Sequence, residues 1–207
     1  MKFKNQVILQ GVVLYVSGAK DKDISSAIIV TKDRNDNYPE VVFFGDNSKK
    51  IRDFKSGDLI KVTGAMKNYK KKKVSEDGKE ITVFRQGIVA KSLERVESVE
   101  EEAFGTNRKG RVFDCQNQVI VSGTIGSIKP LKENVSKINV YCFMDGKPVT
   151  LSFVDFVDAD KLVNMYEKGT FVNLIARVQA DRPEKGKEKR WESLVVLSMN
   201  KADESAE

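Results

Sequence analysis

Histidine is absent from the 207 residues, and cysteine occurs only at Cys115 and Cys142. Without histidine the commonest general base and metal ligand is missing. The two cysteines are far apart, with no C-x-x-C and no partner ligands. This argues against a zinc site and reads as two reduced, buried, small apolar residues. No apolar run approaches the ~18 residues of a membrane helix. Met1-Lys2-Phe3-Lys4-Asn5-Gln6 leads straight into a strand pattern without a cleavable signal, so a cytoplasmic protein is expected. There is no nucleophile–base pair, P-loop or dinucleotide fingerprint. Composition thus points away from an enzyme, with no cofactor or metal expected, and toward a basic binding protein.

The charge that is present is unevenly placed. Lys and Arg number 36 against 30 Asp and Glu, a net charge of +6. Residues 1–97 carry +7, 98–107 carry −3, 108–201 carry +5 and 202–207 carry −3. Two basic blocks, separated and followed by acidic segments, are laid out like two domains.

An internal repeat supports that division. Asn5-Gln6-Val7-Ile8-Leu9-Gln10-Gly11-Val12-Val13 recurs as Asn117-Gln118-Val119-Ile120-Val121-Ser122-Gly123-Thr124-Ile125, with five of nine residues identical at an offset of 112. Gly57 and Gly169, each between a helical pattern and a strand, recur at the same offset. A duplicated domain follows: 1–97, an acidic linker 98–112, a second domain 113–201 and a short acidic tail 202–207.

Each unit reads as mostly β. In the first, Val7–Val16 is a long strand in which Gly11 predicts a bulge or bend. Ser26–Thr31 and Val41–Phe44 are short strands, and Ser48–Phe54 is a helical segment capped by Ser48 and stopped by Gly57. Asp58–Met66 is a fourth strand, Lys67–Lys79 a basic loop and Ile81–Ala90 a fifth strand. The second unit repeats this order: strands Gln118–Ser127, Lys137–Phe143 and Val149–Phe153, a helix Asp158–Tyr166 with Leu162 and Met165 on its apolar side, then strands Thr170–Val178 and Arg190–Leu197. Five short strands with a helix between the third and fourth is the plan of the OB-fold, a small Greek-key barrel. The fold class is all-β with short helices, as two tandem OB-folds.

Three segments carry a family resemblance. Asn5-x-Val7-x-Leu9-x-Gly11-x-Val13, Tyr38-Pro39-Glu40-Val41-Val42-Phe43-Phe44-Gly45 and Ser56-Gly57-Asp58-Leu59-Ile60-Lys61-Val62-Thr63-Gly64 resemble, in order and spacing, bacterial-type single-stranded DNA-binding proteins. The match spans most of residues 5–96; the second unit joins it through the duplication. The resemblance implies a protein that coats single-stranded DNA without strong sequence preference during replication, recombination or repair. It also implies that Tyr38 and Phe44 stack on bases, with Tyr69 near a further family aromatic. A homodimer and contacts with replication or recombination proteins belong to the same expectation. The compact size and duplication fit a phage-encoded version acting in a bacterial host's cytoplasm.

The residue chemistry agrees. Single-strand binding needs cations along the backbone path and aromatic faces for bases. Lys67, Lys70, Lys71, Lys72 and Lys73 surround Tyr69. Arg182, Lys185, Lys187, Lys189 and Arg190 form the parallel basic stretch of the second unit. Phe84-Arg85 and Arg190-Trp191 each set an aromatic beside an arginine. Tyr141 and Phe143 alternate around Cys142 and share a face, on which core and binding roles are equally open. The alternatives are an RNA-binding OB-fold, since stacking does not read the 2′-hydroxyl, and a protein-interaction or structural adaptor.

Two further motifs fail. Asp33-x-Asn35-x-Asn37 begins like a calcium loop, but Tyr38 replaces the turn glycine. Asp155, Asp158 and Asp160 lie at a helix start, where capping explains them. The tail Ala202-Asp203-Glu204-Ser205-Ala206-Glu207 lacks the long linker and terminal aromatic of bacterial family members, so it reads as a frayed terminus as readily as a partner-binding segment.

Overall fold

The computed structural model describes residues 2–18, 23–32, 35–74, 80–96, 115–184 and 192–202; the side chains of 70–74, 81, 83 and 84 lie outside this description. The expected linker, the tail beyond Ala202 and Asp33 of the calcium-like motif also fall outside it.

In chain order the strands are β1 (Lys4–Ser17), β2 (Ile24–Lys32), β3 (Asp36–Asn37), β4 (Glu40–Phe44), β5 (Leu59–Val74) and β6 (Glu80–Arg95), with α1 (Gly45–Ile51) before β5. The second half has β7 (Gln116–Lys132), β8 (Val135–Met144), β9 (Lys147–Asp155), β10 (Phe171–Ala180) and β11 (Glu192–Lys201), with α2 (Ala159–Met165) before β10. β1 pairs with β2, β2 with β4, β4 in parallel with β6, β6 with β5, and β5 with β1, which closes a ring. β7, β8, β9, β11 and β10 close a second ring in the same way. Both are five-stranded barrels of OB type, with the helix between the third and fourth barrel strands. Alternation dictates their cores: Val7, Leu9 and Val13 point inward from β1, and Val119, Val121 and Ile125 from β7.

The repeated asparagines have a structural job. The Asn5 amide donates to the Met66 carbonyl and accepts from the Met66 N–H, both at 2.9 Å. Asn117 clasps Val178 identically, both at 2.8 Å. Met66 and Val178 are themselves related by the 112-residue offset. Asn117→Ala strands one backbone donor and one acceptor, so it is expected to cost roughly 1–3 kcal/mol in denaturant unfolding.

The barrels join through β1 and β7, which pair antiparallel from Lys4↔Ser122 to Gln10↔Gln116. The register sets Val7 opposite Val119, its own repeat counterpart, while Asn5↔Val121 mirrors Leu9↔Asn117. The contact is isologous, like a two-fold dimer interface within one chain. Other cross-barrel bonds follow the same pseudo-symmetry. Asn68 donates to the Thr150 carbonyl at 2.7 Å, and the Tyr38 N–H donates to the Ala180 carbonyl at 3.2 Å. Position 68 corresponds to 180, and 38 to 150.

Several local expectations change. Lys67–Val74 is strand rather than loop: β5 and β6 form a hairpin paired from Lys67↔Gly87 to Val74↔Glu80. A lysine run carries no period-two signal, and the ladder is made by backbone groups alone. Ser48 does not cap α1; it is buried within the helix, with its hydroxyl 2.9 Å from that of Ser25. The β1 irregularity lies between Val13 and Tyr15, not at Gly11. Gly11 instead admits the Val30 carbonyl of β2, which a Cβ there would overlap; Gly123 admits that of Tyr141. In α2, Leu162 is buried with Tyr166, while Met165 is exposed. Asp158 does cap α2, accepting from the Asp160 N–H at 2.9 Å.

Candidate nucleic-acid interface

On the first barrel the strand period turns Glu40, Val42 and Phe44 of β4 outward, opposite to the buried Val41 and Phe43. Lys67 and Tyr69 of β5 face the same side as Gly87 and Arg85, their cross-strand partners in β6. Phe44, Lys67 and Tyr69 line one cleft of about 310 Å³, together with Glu40, Val42, the 86–89 stretch of β6 and Glu192 from the second barrel. Phe44 and Tyr69 are each 44 % exposed.

Tyr69 lies over Gly87: a Cβ there would stand 2.9 Å from Tyr69 Cε1. The missing side chain thus seats the ring on the strand. Burial, then Glu192 and Glu40, raise the Tyr69 phenol above its ordinary range, against a smaller pull from Arg85 than from Glu192. The ring therefore stays neutral at physiological pH and adds no charge that would repel phosphate.

The second barrel presents Tyr141 and Phe143 outward from β8, 50 % and 42 % exposed, with Cys142 buried between them. Burial pushes the Cys142 thiol up to about 11, consistent with an inert core residue. Tyr141 covers Gly126 as Tyr69 covers Gly87. Phe143 meets Phe3 edge to face at 4.7 Å, and Phe3 meets Phe171 at 5.2 Å. Phe3 is partly exposed and is not among the residues that sequence reasoning singles out. A single aromatic just ahead of the first strand, between Lys2 and Lys4, carries no pattern of its own.

Tyr38 requires correction. It is only 8 % exposed and packs with Ile28 and Val30, with Leu14 against them. Its hydroxyl donates to Asp36 Oδ2 at 3.3 Å, and its backbone N–H is held by the second barrel. In this arrangement its ring is core and offers no face to a base. Arg85 is half-buried and Arg182 exposed. Lys70, Lys71, Lys72, Lys73 and Phe84 have their backbone in the hairpin, with side chains outside the described structure. Lys185, Lys187, Lys189, Arg190 and Trp191 lie outside the described residues altogether.

The hairpin is held in place. Opposite its Asn68 stands Gln86, whose amide donates to the Ser152 carbonyl at 2.8 Å and accepts from the Ser152 N–H at 2.9 Å. With the Asn68–Thr150 bond, these contacts occupy backbone groups of β9 and fix the hairpin base against the second barrel. Among the described residues no group of His, Cys, Asp and Glu is arranged to hold a metal ion.

No protein-family model matches the sequence, and no curated protein matches it. Solved structures do match in shape. The wild-type single-stranded DNA-binding protein from Thermus aquaticus aligns with TM-score 0.67 at 15 % identity, over 100 % of this chain and 97 % of that one. A deletion mutant of that protein aligns with TM-score 0.66 at 16 % identity, over 100 % and 98 %. Over its whole length, the chain shares the fold of the Thermus protein.

Proposed function

We propose that the chain binds single-stranded DNA without strong sequence preference, coating exposed strands during replication, recombination or repair. The observation that carries this reading is the cleft in which exposed Phe44 and Tyr69 stand beside Lys67, at the root of a hairpin with four further lysines. Stacking on aromatics contributes roughly 1–3 kcal/mol per base, and the cations follow the phosphates. Tyr141 and Phe143 offer a second stacking surface. No step of this function needs catalysis or a cofactor. The Thermus protein of the same fold is named for the same activity.

A homodimer is part of the proposal. Strands β6, β5, β1, β7, β10 and β11 run side by side across both barrels. Ile8, Ile120 and Ile175 face away from the cores on this pseudo-symmetric sheet, a shape suited to a second copy. Sedimentation should then report twice the 23.3 kDa chain mass. A phage-encoded protein in a bacterial cytoplasm, in contact with replication or recombination proteins, completes the reading.

Length-graded dT oligomers, competed against poly-U and duplex DNA, test it. Replacing Lys70, Lys71, Lys72 and Lys73 by alanine should flatten the slope of log K against log salt, by up to about 0.7 for each phosphate no longer neutralised. An unchanged slope would show that the hairpin does not touch the strand.

A further inference from the structure

The first barrel's cleft holds two carboxylates where a phosphate-binding surface has least use for them. Glu40 opens β4, and Glu192 opens β11 of the other barrel; both line the cavity that contains Phe44, Lys67 and Tyr69. Both also act on the Tyr69 phenol, so they stand within electrostatic reach of the ring on which a base would lie. The rest of the lining is largely apolar, from Val42, Ile88 and Val89. Lys67 in the lining and Arg85 beside the ring balance these two carboxylates, so the cavity offers a phosphate no net positive charge, while its acceptors stand within reach of a stacked base.

An ionised carboxylate only accepts hydrogen bonds. Beside a stacked base it pairs with N–H donors, as Glu and Asp do with the 4-amino group of cytosine. Uracil and thymine present a carbonyl oxygen at that position, which faces a carboxylate acceptor to acceptor. We propose that this cleft reads one base by its exocyclic amino group. Glu40 and Glu192 are the acceptors, Phe44 and Tyr69 the stacking surface, and amino-bearing bases are preferred over thymine or uracil at this site. The inference rests on the single-strand-binding reading and adds one selective position to an otherwise tolerant surface. Because Glu192 comes from the second barrel, the selective position exists only while the barrels are docked.

Equal-length dC and dU oligomers differ at the base edge that matters, and fluorescence anisotropy of labelled strands gives both affinities. The wild-type chain should favour dC by about fivefold or more, the discrimination of one base-edge pair. In Glu40→Gln and Glu192→Gln the ratio should fall toward one, because an amide both donates and accepts. Glu133→Gln, at an exposed glutamate of the β7–β8 turn, should leave it unchanged. Comparing ratios between variants cancels the self-stacking of each oligomer. If the glutamine variants strengthen dC and dU equally, the carboxylates merely repel the backbone and the inference is overturned while the function stands. If the wild-type chain binds neither oligomer, function and inference fall together.

Discussion

Phe44→Ala combined with Tyr69→Ala is expected to weaken dT-oligomer binding by about 30-fold or more, from roughly 1–3 kcal/mol of stacking removed at each ring. Both rings are half exposed in one cleft, and Tyr69 rests on Gly87, so their removal takes away base contacts with little core. Every cation remains in place, so the salt slope should stay as it is. Tyr38→Ala should behave in the opposite way. Its ring is buried beside Ile28 and Val30, and truncating a buried aromatic costs roughly 3–5 kcal/mol of stability. At a temperature where that variant remains folded, its dT affinity should stay near wild type. Oligomer titrations paired with urea unfolding of the same samples separate the two cases.

Gly11→Ala and Gly123→Ala are each expected to destabilise by about 3 kcal/mol or more, at the top of the range for forced overpacking. At both positions a Cβ would overlap a backbone carbonyl oxygen of the next strand, Val30 or Tyr141. Backbone in a closed barrel cannot swing aside as a flexible side chain would. Gly146→Ala is the control: its φ of +76° disfavours a side chain, but nothing stands within 4 Å. That substitution should cost only about 1 kcal/mol. Thermal or urea unfolding reads the difference directly.

The glycines and asparagines of the repeat show how far the sequence can be read. Asn5 and Asn117 stand out as a repeated pair, and that repetition is enough to infer two copies of one barrel. What they do depends on Met66 and Val178, 61 residues further on, and becomes visible only once the strands close. Gly11 likewise signals something unusual in β1, but close approach and bulge look the same in one dimension. Phe44, Lys67 and Tyr69 are legible because composition and spacing mark them, and the fold brings them into one cleft. Tyr38 misleads because its environment is completed by the end of β10, in the other barrel. Glu40 and Glu192 carry no signal at all. Their meeting is a product of how the two barrels dock, which neither segment encodes alone.

Preference for a single strand is the central claim, and one titration tests it most directly. Trp191 is the chain's sole tryptophan, next in sequence to the cleft residue Glu192. Its fluorescence can be followed while dT oligomers, or duplexes of equal length, are added at several salt concentrations. Single-strand binding predicts quenching that saturates with the dT oligomer, an affinity that falls steeply as salt rises, and markedly weaker binding of the duplex. Equal affinity for duplex and single strand, or no binding of either in low salt, would contradict it.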